Sequence, residues 1–141
     1  MATVSKDWVQ FLGLGRKKLS PLGYVDWVNQ GLPADTLDKV TGAVAPNDRQ
    51  FVNRLVGSKS TRFRRVDKPL SVESGFRTVR VAIVWVMALD VWKSEEAARA
   101  FLNRPHPMLE GRKPIDVAIQ SELGADMVKS ILGELKYGTA V

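Results

Sequence analysis

Apolar residues recur along the chain at three- and four-residue spacing, in short segments that proline, glycine and serine separate. This spacing places apolar side chains on one face of an α-helix. Ser20-Pro21 predicts a helix start, with serine as the cap and proline in the first turn, and Gly31 predicts the end of that helix. Pro33 and the stretch 46–48 predict the starts of two more helices. The pattern therefore predicts an all-α fold.

Residues 72–92 are the one ambiguous segment. Their apolar side chains alternate as in a strand, and the many β-branched residues favour that interpretation. The segment is, however, far longer than the roughly 5–6 residues of a usual strand. It has no interior proline, and Ser71 is a suitable helix cap. We predict one long helix here.

A stiff connector is predicted between the next two helices. Pro105, Pro107 and Pro114 flank or follow His106, the only histidine of the chain. Proline disfavours the helical conformation in the residue before it, so one helix should end near Asn103 and another should begin at Pro114. That helix is expected to run over 114–122, Gly124 is expected to break it, and the last helix is expected to run over 125–137. Composition alone favours a connector that merely joins helices.

The first 19 residues lack a clear apolar period. A run of glycine and basic residues over 13–18 predicts a flexible basic arm, which either lies along DNA or is mobile. The Gly-Lys-Ser/Thr ending of a phosphate-binding loop is missing.

Positive charge is concentrated in the first half. The net charge is +6, and residues 1–70 hold twelve Lys/Arg against six Asp/Glu, whereas residues 71–141 hold nine of each. A polyanion-binding half or a solvated basic surface would both produce this division.

Composition gives little support to catalysis or metal binding. The chain has no cysteine and one histidine, so disulfides, thiolate sites and multi-histidine sites are excluded. The longest apolar run, 81–89, is far shorter than the ~20 residues that span a bilayer. We expect a globular, cytoplasmic protein that is not an enzyme, has no cofactor or metal, and is not bound to a membrane.

Short helices with a glycine near the second turn, over residues 20–70, are typical of a helix-turn-helix module. A strongly basic segment, 58–68, follows them. Its cations would neutralise phosphates, and its hydroxyl and one arginine would reach base edges. The predicted DNA-binding residues are Lys59, Thr61, Arg62, Arg64, Arg65 and Lys68.

The C-terminal third carries a distinctive order of residues. A helix ends in Phe101-Leu102, the turn 105–107 follows, then the Leu-x-Gly-x-x-Pro pattern of 109–114, and a last helix ends in Tyr137-Gly138. This order resembles the toxin-binding domain of the Xre/MbcA/ParS antitoxins, whose partners are RES-domain toxins. The segment 58–65 also resembles the Ser-x-x-Thr-x-x-Arg-Arg signature of that family's recognition helix.

The resemblance implies a type II antitoxin. It would block a toxin that consumes NAD or transfers ADP-ribose, and would repress its own operon as a homodimer within a hetero-oligomeric toxin–antitoxin complex on the bacterial nucleoid. The implied domains are a basic arm (1–19), a helix-turn-helix module (20–70), a connecting helix (71–93) and a toxin-binding domain (94–141). The implied toxin-binding residues are Arg104, His106, Arg112, Lys136, Tyr137, Gly138, Thr139 and Val141.

The alternative function is a helix-turn-helix transcriptional regulator. Its C-terminal domain would dimerise and would have no toxin partner. Both alternatives keep the DNA-binding module and differ only in what the C-terminal domain contacts.

Overall fold

The computed structural model describes residues 2–56 and 68–138, with side chains from Asp7 onward. This part of the chain contains no β-strand and confirms the all-α prediction. Its α-helices are α1 (Ala2–Phe11), α2 (Pro21–Gln30), α3 (Asp35–Val44), α4 (Phe51–Val56), α5 (Val72–Trp92), α6 (Glu95–Leu102), α7 (Pro114–Gln120) and α8 (Glu122–Tyr137). Two single 3₁₀ turns lie at Gly15–Lys17 and Pro107–Leu109.

Helix α5 is the centre of the molecule and contacts each of the other α-helices listed above. Val81, Val84, Trp85 and Ala88 on this helix are fully buried or nearly so. Burial on most faces explains why its sequence lacks a one-sided apolar stripe. Ser71 caps the helix, because its Oγ accepts a hydrogen bond from the N–H of Ser74 at 3.2 Å. The prediction of a long helix is therefore confirmed.

The first residues pack against the core. Trp8, Val9, Leu12 and Leu14 are all buried, and α1 lies against α5. The prediction of a flexible basic arm over 1–19 is therefore wrong for residues 7–18. The apolar residues at positions 8, 9 and 12 form a short helical stripe, and its burial against α5 outweighs the two glycines that follow.

Helices α2 and α3 follow the predicted signals. Ser20 accepts a hydrogen bond from the N–H of Gly23 at 3.0 Å, and Gly31 ends α2 with φ at +114°. Helix α3 begins at Asp35, and α4 begins at Phe51 rather than near residue 46. The segment 58–65, predicted to be the recognition helix, lies outside the described residues, so the helix-turn-helix module stays a prediction.

The last two helices meet at Ser121, three residues before the predicted break at Gly124. Ser121 is extended, and its Oγ accepts a hydrogen bond from the N–H of Gly124 at 2.9 Å, which caps α8. Gly124 lies in the first turn of α8 instead of ending α7. A Cβ atom at this position would lie 2.2 Å from the carbonyl oxygen of Val117. The glycine therefore permits close packing of α7 and α8.

Candidate partner-binding surface

The connector between α6 and α7 is a tight, hydrogen-bonded turn. The N–H of His106 donates to the carbonyl oxygen of Arg112 at 3.0 Å, and the N–H of Gly111 donates back to the carbonyl oxygen of His106 at 3.0 Å. Leu109 is 4% exposed and anchors the turn to the core. Gly111 has φ at +81°, a conformation that glycine adopts without strain. The turn is therefore a rigid platform whose polar side chains point outward.

Aromatic side chains lead from the connector to the end of α5. The ring centroid of Phe101 lies 5.9 Å from that of Trp92 and 5.8 Å from that of His106. Phe101 is buried, whereas Trp92 is 39% exposed and Met108 is 61% exposed. Large, partly exposed apolar side chains on a rigid base are typical of protein-binding sites. Sequence reasoning missed Trp92 and Met108 as candidates.

His106 has a defined role in the connector. Its Nδ1 accepts a hydrogen bond from the N–H of Met108 at 3.1 Å, so the proton of the neutral ring is assigned to Nε2. The ring also packs edge-on against Phe101. His106 therefore positions the turn, and its remaining ring edge is available to a partner.

The connector also carries exposed basic side chains. Arg104, Arg112 and Lys113 are exposed. None of the three makes an ion pair within the described part of the chain. Two of them, Arg104 and Arg112, belong to the predicted toxin-binding set. The connector thus combines exposed cations with exposed apolar side chains, and we call this set the connector surface: Trp92, Arg104, His106, Met108 and Arg112.

The end of α8 forms a second cluster. Lys136 makes an ion pair with Asp90, and its ammonium lies 5.4 Å from the ring centroid of Tyr137. The hydrogen bond from Lys136 is the main cause that lowers the pKa of Asp90, and the same bond raises the pKa of Lys136. Tyr137 is 71% exposed, and Gly138 ends the helix with φ at +64°.

The two clusters lie at the same end of the molecule. Trp92 and Asp90 both belong to the last turn of α5, and each joins one cluster. Two residues along a helix are about 200° apart around its axis, so the clusters flank α5 on opposite sides. The structure therefore brings Arg104, His106 and Arg112 together and places Lys136 across the helix from them. Thr139 and Val141 lie outside the described residues.

The predicted DNA-binding set is almost entirely beyond the described part of the chain. Only Lys68 is described, and it is exposed. Lys59, Thr61, Arg62, Arg64 and Arg65 fall within residues 57–67.

Two arginines on α5, Arg77 and Arg80, are paired within the fold. Arg77 donates to the carbonyl oxygen of Leu55 at 3.0 Å and lies 3.7 Å from a carboxylate oxygen of Glu73.

Arg80 is also paired within the fold, and its side chain is more buried than that of Arg77. It donates to the carbonyl oxygens of Ala118 at 3.2 Å and Ile119 at 2.7 Å, at the end of α7. Burial lowers the pKa of Arg80, and nearby Glu122 opposes that effect. A guanidinium remains charged in proteins, so Arg80 is a cation that caps α7.

The fold and the connector surface together define an all-α binding module. Within the described residues there is no group of three or more His, Asp or Glu side chains that could hold a metal ion. None of the helices described is long and apolar enough to cross a membrane.

The comparison with protein families then gives the kind of module. Residues 87–138 match the family described as the antitoxin Xre/MbcA/ParS C-terminal toxin-binding domain, and the resemblance is confirmed over this segment. The matched segment holds the whole connector surface and the described part of the α8 cluster. It supports an antitoxin with a toxin-binding C-terminal domain, from a family that is not a class of enzymes. No curated protein matches the chain.

Proposed function

We propose that the protein is the antitoxin of a type II toxin–antitoxin system and that its partner is a RES-domain toxin, which degrades NAD or transfers ADP-ribose. The observation that carries the proposal is the position of the connector surface within the segment that matches a toxin-binding domain. Trp92 and Met108 supply apolar anchors, and Arg104 and Arg112 supply charge around them. Such an arrangement gives affinity at the centre of an interface and orientation at its rim.

Neutralisation in this proposal depends on the end of α8. Tyr137, Gly138, Thr139 and Val141 would obstruct the NAD-binding cleft of the toxin, and Lys136 would fix the end of the helix through Asp90. A dinucleotide cleft is concave, and an exposed aromatic ring such as that of Tyr137 can occupy it.

The same protein is proposed to repress its own operon. Lys59, Arg64, Arg65 and Lys68 would neutralise phosphates, and Thr61 and Arg62 would contact base edges. A homodimer would match the symmetry of a palindromic operator and would increase the affinity through two linked sites. The excess of positive charge in residues 1–70 supports this part of the proposal.

The experiment uses the full chain and the protein encoded by the neighbouring gene, which this proposal expects to be a RES-domain toxin. Complex formation is measured by titration calorimetry, and toxin activity by NAD consumption. The double change Trp92→Ala/Met108→Ala is expected to weaken the complex by at least tenfold, because each removes a central apolar anchor. The control is Leu22→Ala/Val25→Ala, which removes exposed apolar side chains from α2.

Deletion of residues 136–141 separates binding from inhibition. NAD consumption by the toxin should resume, while DNA binding is retained. If the wild-type protein forms no complex with the toxin, the antitoxin assignment fails. The transcriptional regulator with a dimerising C-terminal domain would then be the better proposal.

A further inference from the structure

The turn between α1 and α2 carries three consecutive exposed cations, Arg16, Lys17 and Lys18. The turn is held on both sides. Leu14 is 2% exposed, and its N–H donates to the carbonyl oxygen of Val9 at 2.9 Å. The N–H of Leu19 donates to the hydroxyl oxygen of Tyr24 at 3.1 Å. These cations therefore have a defined position.

The lysines of this turn are held in distinct ways. The ammonium of Lys17 lies 4.4 Å from the ring centroid of Trp27, a cation–π contact that orients the side chain. Lys18 has φ at 49° and ψ at 51°, a left-handed conformation that is strained in a residue with a Cβ. Backbone outliers of this kind are concentrated at functional positions.

Within the described residues, Arg16, Lys17 and Lys18 make no ion pair with a carboxylate. Three adjacent cations without counter-charge attract a polyanion, and a preformed surface loses less conformational entropy when it binds.

A second exposed cation lies at the opposite end of α2. The N–H of Leu70 donates to the carbonyl oxygen of Leu32 at 2.8 Å, which holds Lys68 near the end of α2. Helix α2 has ten residues, so its ends are about 15 Å apart at 1.5 Å per residue. The major groove of B-DNA is about 12 Å wide, so cations beyond the two ends of a helix of this length can lie near phosphates on both sides of one groove.

We propose that Arg16, Lys17 and Lys18 form a preformed phosphate-contacting surface for duplex DNA, additional to the basic segment 58–68. It contacts the DNA backbone without reading base sequence and fixes the orientation of the protein on the duplex. This inference rests on the proposed repression of the operon through DNA binding.

The test compares two variants of the full chain that remove the same charge. Arg16→Gln/Lys18→Gln alters the turn and leaves the Lys17–Trp27 contact in place. Lys93→Gln/Lys113→Gln removes two exposed cations from the C-terminal half, and Lys93, like Lys18, has a left-handed backbone with φ at 62°. Dissociation constants are measured from 50 to 200 mM salt, on the duplex upstream of the gene and on an unrelated duplex of equal length.

The turn variant should bind both duplexes at least tenfold more weakly at 0.1 M salt. The slope of log affinity against log salt should fall by about two, since each phosphate contact contributes about 0.9. The control variant should keep the wild-type slope. A charge-preserving variant, Arg16→Lys/Lys18→Arg, should also keep the wild-type slope. This variant distinguishes an effect of lost charge from an effect of altered folding.

The outcomes are distinguishable. Equal slopes for wild type and the turn variant would overturn this surface and leave the proposed repression intact. A loss restricted to the upstream duplex would also overturn it, because a backbone contact weakens binding to any sequence. If the wild-type protein binds neither duplex, both this surface and the proposed repression are overturned, and the toxin titration still decides the antitoxin assignment.

Discussion

Two groups of basic side chains, one in each half of the molecule, have different partners. Arg80 and Arg99 in the second half donate to backbone carbonyl oxygens of neighbouring helices and also lie near carboxylates. Arg16 and Lys18 in the first half make no such contact within the described residues. A count of charges cannot separate these cases. The partners of each cation show whether it stabilises the fold or remains available for binding.

The connector shows why net charge is a poor guide. Residues 71–141 hold equal numbers of basic and acidic residues, yet Arg104, Arg112 and Lys113 are exposed and unpaired among the described residues. Only Glu110 is an acid within the same turn, whereas acids elsewhere lie beside other cations, such as Glu73 beside Arg77 and Glu95 beside Arg99. A neutral half can therefore present a cationic surface, and an acidic patch on the toxin would complement it.

The largest expected effect tests the structural role of Arg80. Arg80→Met should lower the free energy of unfolding by about 2–3 kcal/mol, because it removes two charged hydrogen bonds to the end of α7 at a side chain that is 13% exposed. Urea denaturation measures the change.

The matched control for Arg80→Met is Lys129→Met on α8. Lys129 makes a single ion pair, with Asp126 three residues earlier at 3.1 Å. Its loss should change stability by less than about 0.5 kcal/mol. If the two variants prove equally stable, Arg80 is not a structural cation, and the contrast between paired and unpaired cations is wrong.

An intermediate effect is expected at the contact between α3 and α6. The Nε of Arg99 donates to the carbonyl oxygen of Ala43 at 2.8 Å, and its guanidinium lies 5.7 Å from the ring centroid of Trp85. Arg99→Gln should lower the free energy of unfolding by about 1–2 kcal/mol in urea denaturation. Arg104→Gln, which removes an exposed and unpaired cation five residues later, should leave stability unchanged. An equal loss in both would mean that Arg99 acts only through net charge.

Local signals predicted most of the fold. Ser20 and Ser71 were identified as helix caps because a cap depends on the residues immediately around it, and each accepts the expected hydrogen bond from the N–H three residues later. Gly124 was misassigned as a helix break because its role depends on Val117 in the preceding helix. Burial of α1 depends in the same way on a distant partner, α5.

The candidate site was predicted less completely. Pro105, Pro107 and Pro114 signalled the connector, and the charged candidates on it were found from the sequence. Trp92 and Met108 were missed because an apolar residue next to a helix end is usually buried, and only the packing of Phe101 between Trp92 and His106 shows which side faces outward. An apolar residue inside a short proline-bounded turn is the signal that identifies Met108 as a candidate.

The smallest effect on stability is expected at the Asp90–Lys136 pair, and its dependence on pH has a defined direction. The pKa of Asp90 is lowered, so its contribution to stability is present above its ordinary pKa of about 4 and is lost as the pH falls through the lowered value. The pKa of Lys136 is raised above 10.5, so its contribution is complete below that value and is lost as the pH rises through the raised value. The pair is therefore intact from about pH 5 to 9.

In thermal denaturation, wild type and Asp90→Asn should differ slightly at pH 7 and converge at strongly acidic pH. Asp126→Asn, which breaks the Lys129 pair on the same helix, is the control. If the role of Asp90 is to fix the end of α8, Asp90→Asn should weaken inhibition of the toxin far more than it changes stability. Asp126→Asn should leave inhibition of the toxin unchanged. Equal inhibition by both variants would show that the toxin does not require Tyr137 to be held in place.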